Sequence, residues 1–515
     1  MSHDALTSTQ YFWLILIAFL VALVARRVQV PYALALVMTG LIVGIPHLLP
    51  HTHLDPKLLF SVFLPPLLFE SAIQLPLVHL RRNWKAITVY TFGGTILSTF
   101  IAGSLAAGLL HWPLTTGLLF GALISATDPI SVIAIFKRLG AGRRLTLLVE
   151  AESLFNDGVA VVLFTVMLAL GMGQGISPVG SILQFCQLVI GGALLGVTIG
   201  MIASRVHCAL DDHLLEITLT SVVAFGAYLG AEALHVSGVI AVVAAGLVVG
   251  NYGMPNSMSP GTRLAVRSFW EYASFVVNSI VFLLIGIEVS YVQWADKIGA
   301  VLLAIIIVLV GRTAIYPLSW LVNRMNTEPG REIPLSWQHI MVWGGLRGAL
   351  SMALVLGLDQ NFPYRDILVA CTFGVVLASL LLQGLTVGAL LRQLGLAQTA
   401  NKVSDEQRRL AGEIVACEAA IAELDKLKEQ DSYPNTTVES LLRHYQERLN
   451  QLQETMQTLY PQHDVLQEEQ ASKARRAALL AAKSAFQESE RRGWLEAEDW
   501  QDIAAHIDTE LVELT

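Results

Sequence analysis

At 515 residues the chain carries hydrophobic side chains at 54% of positions and charged ones at only 14%, with a mean hydropathy of +0.58, which excludes a soluble globular protein of ordinary composition. The formal net charge is −8. It arises in the C-terminal part, because residues 396–515 hold 13 Lys+Arg against 23 Asp+Glu while residues 1–395 hold 20 against 18.

Apolar runs bounded by charges, Pro or Gly fall at 11–25, 31–46, 57–76, 86–110, 114–136, 145–171, 177–204, 213–233, 235–250, 268–290, 298–322, 337–357 and 366–391. They predict an all-α polytopic membrane protein with about 13 transmembrane helices, some short unless tilted or broken. The first run lacks a basic segment before it and ends in Arg26-Arg27, the pattern of a retained first helix. Alternate connections beginning after that run hold fourteen basic residues, Arg26 through Arg331, whereas the other set holds only Lys57, Lys297 and Arg365. By the positive-inside rule this places the N-terminus outside and the C-terminus in the cytoplasm. The four cysteines, Cys186, Cys208, Cys371 and Cys417, show no metal-ligand spacing and are expected as three packed thiols and one on a helix face.

Charges at bilayer depth cost about 2.5–3.5 kcal/mol even on lenient scales and so mark ion paths or polar cavities. Here they cluster. Glu70 lies in "FLPPLLFESAIQ", Asp128 in "SATDPIS", Glu152, Asn156 and Asp157 in "VEAESLFNDGVAVV", and Arg347 in "WGGLRGALSMAL". Ser153 and Asp157 stand at i,i+4, as do Glu152 and Asn156, so each pair shares a helix face. A hydroxyl beside a carboxylate presents neighbouring hard oxygens to one monovalent cation. The carboxylate offers its charge only when deprotonated, so cation and proton compete for one place.

Pro129 lacks an amide hydrogen and biases Asp128 away from helical geometry, which predicts unwound backbone near Thr127-Asp128. Irregular backbone at that depth is tolerated only beside protein or a water-filled cavity. "GGLRG" (344–348) marks a second interruption. Two broken spans in matching halves are the signature of an inverted-repeat transporter with its site at the midplane, spans one to six and eight to thirteen being the repeats. Other charges read as structural: Glu288 as a cap near a loop, Glu150 and Glu271 as interface charges, Arg312 as a partner for a carbonyl or carboxylate. Arg347 cannot shed its proton and needs a buried counter-ion, for which Glu152 is the candidate.

At these residues the sequence resembles the cation:proton antiporter family of the bacterial NhaP and animal NHE proteins. The matching stretches are "FLPPLLFE", "SATDPISV", "ESLFNDGVAVV", "HVSGVIAVVAAGLVVG" and "GGLRGALSMAL". The resemblance implies a homodimer in which each protomer has a dimerisation part and a mobile six-helix core with crossed broken helices, working as an elevator. It makes Asp157 the carboxylate that takes cation or proton, with Glu70, Ser153 and the Thr127 carbonyl as further cation ligands. Asn156 and Asp128 would support the helix crossing, and Glu152 with Arg347 would form a stabilising ion pair. The Asn156-Asp157 order implies electroneutral one-for-one exchange of Na⁺, or Li⁺, for H⁺, with K⁺/H⁺ exchange as the alternative. No enzyme activity, cofactor or nucleic-acid partner is implied; the setting is membrane lipid, and the place a bacterial inner membrane.

Residues 1–395 thus form the expected transmembrane domain and 396–515 a cytoplasmic helical one. In the latter, Val438, Leu442, Tyr445, Leu449, Leu452, Met456 and Leu459 recur at alternating spacings of four and three, as a coiled-coil seam does. Leu410, Ile414, Cys417, Ile421 and Leu424 repeat the period, and "DSYPNTT" (431–437) supplies a turn. Trp494, Leu495, Trp500, Ile503, Ile507 and Leu511 predict a last amphipathic helix. The segment is expected to form a hairpin or an interchain bundle that either stabilises a dimer or regulates in response to pH or an unknown effector. An intramembrane aspartyl protease would need YD and GxGD motifs, which do not occur; a cation channel is the remaining alternative, which single-channel currents would favour and saturable coupled exchange would not.

Overall fold

A computed structural model describes residues 8–28, 31–44, 59–172, 178–208, 212–292, 294–326, 331–397, 402–429 and 435–458, and among these all regular structure is helical. The chain divides into two compact units, 1–399 and 400–515.

In the first unit the helices run α1 (Ser8–Val28), α2 (Tyr32–Gly44), α3 (Leu59–Gln74), α4 (Leu77–Arg82), α5 (Trp84–Leu109), α6 (Leu114–Leu123), α7 (Ile130–Leu139) and α8 (Arg143–Gly171). They continue as α9 (Pro178–His207), α10 (His213–Ala233), α11 (Gly238–Gly253), α12 (Pro260–Tyr291), α13 (Ile298–Met325), α14 (Leu335–Trp343), α15 (Ala349–Leu356) and α16 (Arg365–Gln393). Seven described helices are long and apolar enough to cross a membrane, and five shorter apolar ones accompany them.

Association without a hydrophobic driving force relies on close backbone approach at small residues. Gly40 on α2 and Gly286 on α12 meet so closely that a methyl on either would lie 2.9 Å from the other's Cα. A methyl on Gly103 of α5 would sit 2.7 Å from the Leu118 Cα on α6. Hydroxyls bridge the helices at polar points, Ser98 donating to the Gly311 carbonyl at 3.0 Å and Tyr90 pairing with Ser319 at 2.7 Å. Two cysteines are exposed, not packed: Cys186 shares an outward α9 face with Ile182, Leu183 and Ile190, and Cys208 lies at the end of that helix, while Cys371 and Cys417 are buried.

Two interruptions organise the interior. Residues 124–129 separate α6 from α7, and residues 344–348 separate α14 from α15. The free backbone groups of one break find partners in the other: the Asp128 amide donates to the Leu346 carbonyl at 2.8 Å. Beyond the first break, α7 ends on Gly140 at φ +66°, the left-handed closure that glycine accepts without strain.

The second unit contains α17 (Lys402–Glu429) and α18 (Asn435–Thr458). They pair antiparallel, with Leu410, Cys417 and Leu452 buried in the seam and Ile414, Tyr445 and Leu449 packed on it. The sequence periodicity allowed a hairpin or an interchain bundle, and these two helices pair within one chain. The last amphipathic helix, Leu459 included in the seam before it, lies outside the described residues.

Candidate functional site

The site is built on α8, where Glu152, Ser153, Asn156 and Asp157 follow within two turns. Ser153 and Asn156 both seize Thr127 in the first break. The Asn156 side-chain amide donates to the Thr127 hydroxyl at 2.7 Å, and the Thr127 amide donates back to the Asn156 carbonyl oxygen at 3.3 Å. Ser153 donates to the Thr127 main-chain carbonyl, and the two hydroxyls lie 3.2 Å apart. An unwound segment has lost its helical hydrogen bonds, so buried amides and carbonyls there require such replacements. Asp128 caps the following half-helix, its carboxylate accepting from the Ile130 amide at 3.0 Å.

A cavity of about 300 Å³ opens against this clamp. Glu70, Thr127, Ser153 and Asp157 all line it, as does Asp128. Glu70 is half-buried and accepts from its own helix, from Ser71 at 3.3 Å and from Gln74. Asp157 differs: its Oδ1 is buried and has no hydrogen-bond partner. A buried acceptor left unmade costs about 1–3 kcal/mol, more when charged. A proton or a cation removes that deficit.

Sequence reasoning missed part of the wall. Asn278 of α12 lines the cavity, and so do Lys137 and Glu150. The signal for Asn278 was present, an amide side chain within an apolar span, but its partners are far away in the chain. Glu150, expected at an interface, instead lines the cavity one turn before Ser153.

The expected Glu152–Arg347 ion pair is not formed. Glu152, 2% exposed, is held in a fork by Arg312 of α13, with Nη1–Oε1 at 2.8 Å and Nη2–Oε2 at 2.9 Å. Nη2 of Arg312 also donates to the Met341 carbonyl at 3.2 Å, satisfying one of the orphan carbonyls in the last turn of α14. Gly345 makes the approach possible, since a methyl there would fall 2.5 Å from the Arg312 Nε. Arg347 is buried too, but its guanidinium turns back on its own segment to donate to the Gly345 carbonyl at 3.2 Å, and its amide is held by Ser379 at 3.1 Å. The reason is azimuthal: Glu152 faces α13, where Arg312 follows the apolar run Ile298–Gly311, and the short turn at 344–348 aims Arg347 elsewhere.

Residues 15–393 match the family described as sodium/hydrogen exchanger, transmembrane. The chain is 34% identical over 516 residues to the Na⁺/H⁺ antiporter NhaG of Bacillus atrophaeus, covering 98% of this chain and 97% of the relative. It is 38% identical over 408 residues to the Na⁺/H⁺ antiporter NhaH of Halobacillus dabanensis, covering 76% of this chain and 99% of that protein. In fold it is similar to the sodium proton antiporter MjNhaP1 from Methanocaldococcus jannaschii, with a TM-score of 0.64 at 20% identity over 75% of this chain and 98% of that one. With intramembrane acids gathered at two touching helix breaks and sequence likeness over nearly its whole length, the chain belongs to the sodium/hydrogen exchanger family of monovalent cation:proton antiporters.

Proposed function

We propose that the protein exchanges Na⁺, and Li⁺, for H⁺ one for one, with Asp157 as the shared binding group. The observation that carries this reading is the partnerless buried oxygen of Asp157 on a cavity wall with Glu70, Ser153 and Thr127. Deprotonated, Asp157 supplies the charge that a cation needs; protonated, it supplies none, so the two cargoes exclude one another. The Ser153 hydroxyl, now turned to the Thr127 carbonyl, swings aside so that both oxygens face the ion. Asn156 adds no charge and acts with Asp128 to hold the crossing, which leaves Asp157 as the single group that swaps its cargo and makes the exchange electroneutral. Sodium as the cargo follows the names of the relatives NhaG and NhaH.

Counting α14–α15 as one interrupted span, the long and short apolar helices supply thirteen crossings in two inverted repeats joined by α9. A six-helix core carries the site up and down against a dimerisation part, in a homodimer of a bacterial inner membrane. The N-terminus is outside and the helical second unit is cytoplasmic.

The test is exchange in proteoliposomes with an imposed pH gradient and a trapped pH dye, adding Na⁺, Li⁺ or K⁺ in turn. Dissipation by Na⁺ and Li⁺ is expected, with loss of more than about a hundredfold in rate for Asp157→Asn, as for removal of an obligatory charge carrier. Full exchange by Asp157→Asn would sink the assignment, and dissipation by K⁺ alone would replace the cargo while keeping the site.

A further inference from the structure

A second polar cavity, of about 290 Å³, lies at the other end of α8 from its apolar C-terminal half, and the exchange reaction does not use it. Its wall brings together Arg81, Arg82 and Lys85 from the α4–α5 junction, Arg144 from the first turn of α8, and Asn326 and Arg331 from the connection between α13 and α14. Five cations thus meet from three separate segments, and no Asp or Glu is among the described residues that line the cavity. An orientation preference alone explains why basic residues lie on one side of a membrane. It does not explain why they converge on one space.

The convergence is built. Arg144 donates through Nε to the Asn83 side-chain oxygen at 3.0 Å and through Nη2 to the Arg331 carbonyl at 2.7 Å, and it stacks 5.6 Å from the Trp337 ring. Asn326 donates to that same Arg331 carbonyl at 3.2 Å, Arg331 reaches the Arg82 carbonyl at 3.5 Å, and Lys85 donates to the Met325 carbonyl at 3.1 Å. The partners of Arg144 and Lys85 are all neutral oxygens, so these two side chains are positioned without being neutralised. The field is raised further because α8 begins here, with no acid in its first turn and no side-chain cap, and a helix N-terminus carries about half a positive charge. Guanidinium forks match phosphate oxygens in geometry as well as charge. The volume stands at the small end of ligand pockets, which run about 300–1,000 Å³.

We propose that this cavity is a phosphate-binding site that ties the starts of α5 and α8 to the end of α13. The phosphate comes from the headgroup of an anionic phospholipid or from solution. Trp84, on the cavity wall and 57% exposed, favours the lipid, because exposed tryptophans settle at headgroup depth and anionic leaflets draw basic clusters at about 1 kcal/mol per residue. This site is independent of which cation the protein carries.

The experiment follows thermal unfolding of the full-length protein in uncharged detergent micelles. Dioleoylphosphatidylglycerol, dioleoylphosphatidylcholine and inorganic phosphate at constant ionic strength are titrated separately. A saturable rise in midpoint with phosphatidylglycerol and not with phosphatidylcholine is expected, and Arg82→Gln combined with Lys85→Gln should raise the half-saturating concentration by about tenfold or more. The same rise with inorganic phosphate, lost in the same double variant, assigns the site to free phosphate. If that variant does not fold, Arg81→Gln with Arg82→Gln, both on exposed side chains, takes its place. No saturable response to either phosphate source, or identical curves for protein and variant, overturns the proposal.

Discussion

Arg312 directs both Nη groups at the buried Glu152 carboxylate and one of them at the Met341 carbonyl, so it joins α8 and α13 to the break between α14 and α15. Removing one partner of a buried pair leaves the other uncompensated, a loss of about 3–5 kcal/mol, whereas removing a buried cation that has no ion-pair partner also removes its own desolvation cost. Arg312→Met should therefore lower the thermal unfolding midpoint sharply, while Arg347→Met, which gives up one bond to the Gly345 carbonyl, should lower it much less. Equal losses in the two variants, measured side by side in the same detergent, would mean that Arg347 also compensates the Glu152 charge. Asp157 obeys the opposite logic at the same scale. Its Oδ1 is left without a bond, and in the exchange proposed above this unmade interaction is what lets the group swap cargo, since a permanently paired carboxylate would release neither proton nor cation.

Elements are interrupted where their local chemistry demands it. Pro129 ends the helical bonding of the preceding segment, Asp128 caps the helix that restarts at Ile130, and Asn156 and Ser153 take over the loosened Thr127 groups. Pro65 and Pro66 follow a widened π turn at Leu59–Phe63 in α3, one turn before Glu70, and such turns absorb the backbone bonds that proline cannot make. In the second unit the charged flank supplements the seam: Glu413 accepts from Arg409 at 3.1 Å and from Arg448 of the facing helix at 3.2 Å. Its carboxyl is held below the usual carboxylate range, chiefly by the Arg409 hydrogen bond and then by the neighbouring charges. A depressed value means the contribution is complete above the ordinary carboxylate range and disappears as pH falls through the folded value. The protection of the 402–458 amides in the full chain, read as the ratio of intrinsic to observed exchange rate at each pH, should therefore fall on acidification. Glu413→Gln should exchange faster at neutral pH and lose part of that acid response. An unchanged acid response in the variant would assign it to other carboxylates.

At the scale of the whole molecule, the second unit poses a choice between clamp and regulator. A chain ending at residue 395 is expected to keep exchange and its pH profile while its dimers dissociate at higher protein concentration than those of the full chain, read by light scattering beside the flux assay. A shifted pH profile with intact dimers would make the unit a regulator. Much of the site was legible before any fold was known, because each intramembrane acid is conspicuous in an apolar run and the i,i+4 relation of Ser153 and Asp157 follows from one helix. Proline and glycine placed the two interruptions by the same local rules. Asn278, Lys137 and Glu150 were not legible as cavity residues, and Arg312 was not legible as the partner of Glu152, since these relations depend on how helices far apart in sequence are rotated about their axes. By itself, then, the sequence determined the helical class, the apolar runs, the breaks and the acids that belong near one another, all consequences of period, hydropathy and backbone chemistry within a few residues. Only the tertiary structure decided which charges meet and which stay open to a cavity, because a buried charge chooses its partner by distance across packed helices, and no local pattern encodes that distance.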